Sequence, residues 1–134
     1  MLLLGVVASA QGKVVARINN VRNEKGVCQV CLYNSAAAFK GDGGTPVRCI
    51  QAPVKAGAAE AVFDVVPAGV YAVMVIHDAN QNQKLDQNFF GMPKEGYGAS
   101  QNRLPFAAAP TFDDNKFTVG DKTIVTLRIR LRNL

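Results

Sequence analysis

Between His77 and Gly98 the chain reads HDANQNQKLDQNFFGMPKEGYG. Oxygen-bearing side chains recur at Asp78, Asn80, Asn82 and Asp86, a spacing that suits either an ion or a run of tight turns. Numbered as a calcium loop, Asp78, Asn80 and Asn82 supply side-chain oxygens, Lys84 a backbone carbonyl, and Asp86 acts through water. Gln83 stands where the sharp turn wants glycine, and Phe89 where a bidentate Glu belongs. With Lys84 beside only two carboxylates, the run predicts at most a weak Ca2+ site, in the ~10⁻⁴–10⁻³ M range of extracellular modules. The alternative is an Asx-turn ladder, in which Asp and Asn oxygens accept hydrogen bonds from downstream N–H groups.

His77 is the sole histidine. An acid–base centre would pair it with Asp78 or Glu95, near Tyr97 and Ser100. Such chemistry needs a base within ~3 Å of its proton and a group to orient it. Neighbours on a strand point to opposite faces, so His77 and Asp78 make a poor pair. No GxSxG nucleophile motif is present. The residues therefore assign no catalytic group. They predict a recognition surface instead, with Lys94, Glu95, Tyr97 and Ser100 offering charge, an aromatic face and a hydroxyl. The alternative is a metal-dependent or small-molecule function centred on His77, Asp78 and Asp86.

Strands must position these residues. Residues 13–21 place Val14, Ala16 and Ile18 on one face, and 27–33, 47–54, 59–66 and 70–77 follow as further strands. The 70–77 strand is apolar on both faces, which predicts a central place with cover on each side. Asn34 and Ser35 cap one helical turn that ends near Lys40. KFTV, Gly120-Asp121 and KTIVTLRIRLRN read as a hairpin with a two-residue turn. Its last strand collects Arg128, Arg130 and Arg132 on one face, a stripe for an anionic partner or for plain edge protection.

About seven short strands with Gly- and Pro-rich turns predict an all-β antiparallel β-sandwich. One segment, 87–114, breaks the rhythm and reads as a long loop, the kind that carries function when ordered. Ordering it costs roughly 1–2 kcal/mol per residue in backbone entropy. Buried aromatics return only ~1.5–3 kcal/mol each. Something further has to pin it.

The 134 residues suit one domain, taken as 11–134. Fifteen Lys and Arg against ten Asp and Glu make the chain basic, but the charges are scattered and no nucleic-acid motif appears. Leu2 to Val7 followed by Ala8-Ser9-Ala10 read as the tail of an export signal with a small-x-small cleavage site. Residues 1–10 are assigned to that remnant and the protein to the periplasm or the medium. No run reaches the ~20 apolar residues of a membrane helix. Cys28 and Cys31 lie on opposite faces of one strand, ~10 Å apart, too far to bridge. In an oxidising compartment Cys31 pairs with Cys49; the alternative is three free thiols.

The runs VPAGVYAVMVIHDANQNQKLDQNFFGMPKEGYGAS and APTFDDNKFTV resemble a family of exported bacterial domains of unknown function. Its pattern is PxGxYAVxxxHD, DxNxNGKLD, FGxPxEGYGxS and PxFxxAxFxV. The resemblance extends from about Gly26 to Leu131 and implies a transthyretin-like or Ig-like β-sandwich. It implies no activity. Gln83 and Asn115 depart from the pattern, which carries Gly and often Ala there. The function this predicts is an exported envelope binding or accessory module that uses the 87–114 segment. Its partner would be an envelope protein, a peptide or a glycan.

Overall fold

The computed structural model describes residues 11–79, 96–106 and 108–133. In chain order the elements are β1 (Gly12–Asn19), β2 (Val27–Tyr33), α1 (Ala36–Lys40), β3 (Arg48–Pro53), β4 (Ala59–Val66), β5 (Gly69–Asp78), β6 (Tyr97–Ala99), α2 (Phe112–Asn115), β7 (Phe117–Val119) and β8 (Ile124–Arg130). They form two sheets, one ordered β4-β1-β8 and one ordered β3-β2-β5-β6, with β7 also on β5. The all-β, two-sheet architecture agrees with the alternation in the sequence.

Alternation builds the core directly. Val14, Ala16 and Ile18 of β1, Phe63 of β4 and Ile129 of β8 point inward, and meet Val30 and Leu32 of β2 with Val73 and Val75 of β5. Two sheets with apolar inner faces have no other way to remove those side chains from water. The outer faces differ. Ala72 and Met74 on the outside of β5 lie beneath a second cluster that includes Tyr33, Phe39, Leu104 and Phe112. Phe39 meets Tyr33 and Phe112 edge-on, at ring separations of 5.3 and 6.1 Å. The two short helices thus roof one sheet, which is why β5 is apolar on both faces.

The first of these helices is defined by its caps. Ser35 accepts a hydrogen bond from the Ala38 N–H, and Gly41 closes the turn at φ 86°. At the other end of the chain the expected hairpin does not form. β7 pairs with β5 through Gly69↔Val119 to Tyr71↔Phe117, whereas β8 pairs with β1, in parallel, from Lys13↔Ile124 to Asn19↔Arg130. The turn between them carries the chain from one sheet to the other. Gly120 and Thr123 hydrogen-bond across it, and the Thr123 carbonyl then takes the Lys13 N–H at 2.9 Å. Parallel pairing of β1 with β8 makes the smaller sheet mixed rather than purely antiparallel. The segment expected as one long loop also holds structure: β6, which raises the strands to eight, and α2.

The sheets touch at both sides. Tyr97 of β6 and Arg132 just beyond β8 exchange backbone hydrogen bonds of 3.1 and 2.8 Å. Gly98 allows that approach, since a Cβ there would stand 2.8 Å from Ile129 Cγ2. Opposite, Arg48 of β3 donates to the Asp64 carbonyl of β4 at 2.6 Å and lies over the Phe63 ring. Among the described residues no helix is long and apolar enough to cross a membrane.

Cys31 and Cys49 are direct cross-strand neighbours in β2 and β3 and are joined by a disulfide. Cys28, on the other face of β2, is a free thiol inside the core. Burial pushes its pKa up to about 11 from 9.0. Two outcomes follow. Replacing Cys31 and Cys49 with Ser should lower unfolding stability by about 3 kcal/mol, the value for a loop of this length, measured by urea melts. Stability should be flat below about pH 9, where both states hold the Cys28 proton, and fall toward about pH 11 as only the unfolded state releases it. Cys28→Ala should make that fall shallower and leave the part due to Tyr33 and Tyr71, whose hydroxyls burial also holds above the ordinary tyrosine value.

Candidate functional site

The residues singled out in the sequence sit at the C-terminal end of β5 and along the chain that follows. Pairing with β2 sets His77 opposite Cys28 and Asp78 opposite Val27. Both His77 and Asp78 are buried. The Nε2 of His77 donates to the Lys25 carbonyl at 2.8 Å, and its backbone N–H donates to the Gly96 carbonyl at the same distance. A carbonyl only accepts, so the proton is on Nε2. The ring therefore ties the β1–β2 turn to the end of β5. Gly26 lets that turn close: its φ is +66°, and a Cβ would overlap the Asp78 carbonyl oxygen and stand 2.8 Å from Ala79 backbone atoms. His77 and Asp78 thus stand in the packed end of the sandwich rather than in a cleft.

Of the calcium-like run, Asp78 is described, while Asn80, Asn82, Lys84 and Asp86 lie outside the described residues. Lys94 and Glu95 lie outside them as well. Among the described residues no cluster of three or more His, Cys, Asp or Glu side chains is placed to hold a metal ion.

Tyr97 and Ser100 were expected to face a ligand, and the structure places them inside. Tyr97 is buried on the same face of β6 as Ala99, outside the inter-sheet core, with its hydroxyl 3.4 Å from an Arg132 guanidinium nitrogen. Ser100 is buried too. Its Oγ accepts from the Val73 N–H at 2.9 Å and donates to the Asn115 carbonyl. The reason is pairing: β6 occupies the edge of β5 from Met74↔Ala99 to Ile76↔Tyr97, which turns these side chains into framework.

Asn115 is the residue that sequence reading missed as an anchor. It is 0% exposed. Its Oδ1 accepts from the N–H groups of Gln101 and Arg103 at 3.1 and 3.2 Å, and its Nδ2 donates to the carbonyls of Arg103 and Thr111 at 3.0 and 3.1 Å. The side-chain amide thus accepts from and donates to the chain after β6, and donates to the Thr111 carbonyl ahead of β7. Asn102 does similar work at the rim. Its amide donates to the Arg128 carbonyl and accepts from the Arg130 N–H, each at 2.9 Å, and so continues the ladder on the free edge of β8. Arg132 drops out of the expected arginine stripe. It is half-buried, and it reaches the Leu104 and Pro105 carbonyls at 2.9 and 3.3 Å.

With its base held from three sides, the excursion presents Arg103, Asp113 and Asp114 to solvent, and Phe106 at 92% exposure. A shallow cleft of about 350 Å³ runs between Asn102, Arg103, Leu104, Pro105 and Asp114.

Fold and site together define a small disulfide-linked all-β domain of two sheets, with one elaborated crossing between β6 and β7. The chain belongs to the bacterial family described as "Uncharacterized protein conserved in bacteria (DUF2141)", which matches residues 16–126. No curated protein matches it.

Asn115→Ala should cost roughly 2–4 kcal/mol, because four partly buried hydrogen bonds to backbone groups are lost at once. Limited proteolysis should then cut within 100–114 before global unfolding. Gly26→Ala should cost at least ~2 kcal/mol from φ strain and backbone overlap, read as a fall in the urea midpoint.

Proposed function

We propose that this protein is an exported, non-catalytic binding module of the cell envelope, of the transthyretin-like or Ig-like kind. Its recognition surface is the exposed part of the 87–114 segment. The observation that carries this reading is Phe106, 92% exposed on a segment whose base is fixed by Asn115, Asn102 and Arg132. A large apolar ring left in water is unfavourable, while a preorganised aromatic beside a cation is what interface anchors are made of. Arg103, exposed on the same segment, supplies the cation. Fixing the base beforehand lowers the ordering entropy lost on binding. A protein or peptide of the envelope with an apolar contact to offer fits this chemistry. Lys94 and Glu95, which lie outside the described residues, are proposed as further contacts.

Export is supported by the Cys31–Cys49 disulfide, since such bonds persist in oxidising compartments, and by the apolar leader with its Ala8-Ser9-Ala10 site. The test has two arms. Fractionation of the native host should recover the protein outside the cytosol with the disulfide formed; a cytosolic, reduced protein refutes export. Binding to peptide and glycan arrays should give apolar or aromatic peptide signals that fall at least about tenfold in Phe106→Ala, the size of a single hot-spot loss. Glycan signals alone, or signals indifferent to Phe106 and Arg103, refute a protein-recognition surface here.

A further inference from the structure

The larger sheet is roofed by α1, α2 and the excursion, whereas no described residue covers the outer face of β4-β1-β8. The parallel register of β1 with β8 sets Arg17 directly beside Arg128, and Asn19 beside Arg130. Like charges as direct cross-strand neighbours are unfavourable. On the far side of β1, Glu60 pairs with Arg17 at 3.0 Å, and Asp64 pairs with Lys13 at 3.4 Å. The carboxylates of β4 are thus spent on β1. Among the described residues, the guanidinium groups of Arg128 and Arg130 have no ion pair and stand exposed, ~6.7 Å apart along the strand. Lys55 joins Arg17 and Arg128 around an open cleft of about 600 Å³.

The same face carries apolar side chains. Ile124 is 67% exposed and Val65 64% exposed, and both lie with Lys13 and Lys122 at the end of the sheet where β1 begins. Val65 is held outward at a bulge between β4 and β1, with φ 58°, a costly conformation for a β-branched residue. A surface meant only for water has no need of exposed β-branched residues flanked by lysines. Rows of splayed cations with apolar side chains at one margin match a plane of anionic headgroups above hydrocarbon.

We propose that the bare face of the β4-β1-β8 sheet docks on an anionic phospholipid surface. Arg17, Arg128 and Arg130 meet phosphates, and Val65 and Ile124 enter the headgroup boundary. This face is separate from the Phe106 segment, so either can fail alone.

The experiment is co-sedimentation of the full chain with vesicles. Phosphatidylcholine containing 30% phosphatidylglycerol should retain the protein, and phosphatidylcholine alone should not. Raising salt from 50 to 300 mM should weaken retention. The Arg17→Glu, Arg128→Glu, Arg130→Glu triple variant should lose at least about tenfold in partitioning, whereas Glu60→Gln should gain. Val65→Ser with Ile124→Ser should lose partitioning while keeping the salt dependence. Should the triple variant lack wild-type circular dichroism, Arg128→Gln and Arg130→Gln singly carry the test. Equal retention on both vesicle types, or variants that bind like the wild type, overturn the proposal. So does displacement by millimolar glycerol phosphate, which marks a small-anion site. Retention on alginate without retention on vesicles overturns it in favour of an acidic polysaccharide.

Discussion

One side-chain amide holds the middle of this molecule. Asn115 is wholly buried and bonds to Gln101, Arg103 and Thr111 through both ends of its carboxamide. Buried polar atoms are costly unless satisfied, so a residue that satisfies several backbone groups at once is worth more than its area. Because Asn115 is fixed, β6 and β7 can divide one edge of β5 between them: Met74 to Ile76 pair with β6, and Gly69 to Tyr71 with β7. The Ser100 hydroxyl, bridging the Val73 N–H and the Asn115 carbonyl, joins that division to the centre of the sheet.

The consequence is a molecule with two unlike sides. Where β6, α2 and β7 gather, the larger sheet gains a roof of aromatic contacts and an exposed ring at Phe106. Where β1, β4 and β8 lie, charge and a few apolar side chains stand on a sheet that no described residue covers. Both sides depend on the turn from Gly120 to Thr123, which sends β8 to the second sheet.

How much could be read from the chain differs by the kind of signal. β1, β4 and β8 repeat every two residues over seven or eight positions, so their inner faces were legible down to Val14, Phe63 and Ile129. The Ser35 cap and the Cys31–Cys49 geometry were also legible, because caps and cross-strand distances are local rules. β6 was not. Three residues, Tyr97 to Ala99, show no period, and their burial arises from the partner they find on β5. The β7–β8 hairpin was misread for a related reason: a short turn permits a hairpin, but partner choice belongs to the free edges of β5 and β1. Tyr97 and Ser100 looked like recognition residues because type and turn context say nothing of depth. The resemblance agreed with the finding at the level of an uncharacterised bacterial family and left the site open.

The parallel pairing of the first and last strands also sets how the domain answers to force. β1 and β8 run the same way for seven register pairs, from Lys13↔Ile124 to Asn19↔Arg130. Chain entering β1 and chain leaving β8 therefore depart from opposite ends of that ladder. A pull between them acts along the strands and across every hydrogen bond of the pair together, in shear, instead of peeling the bonds apart one by one. Anchored on one side and tugged on the other, the domain resists as a clamp.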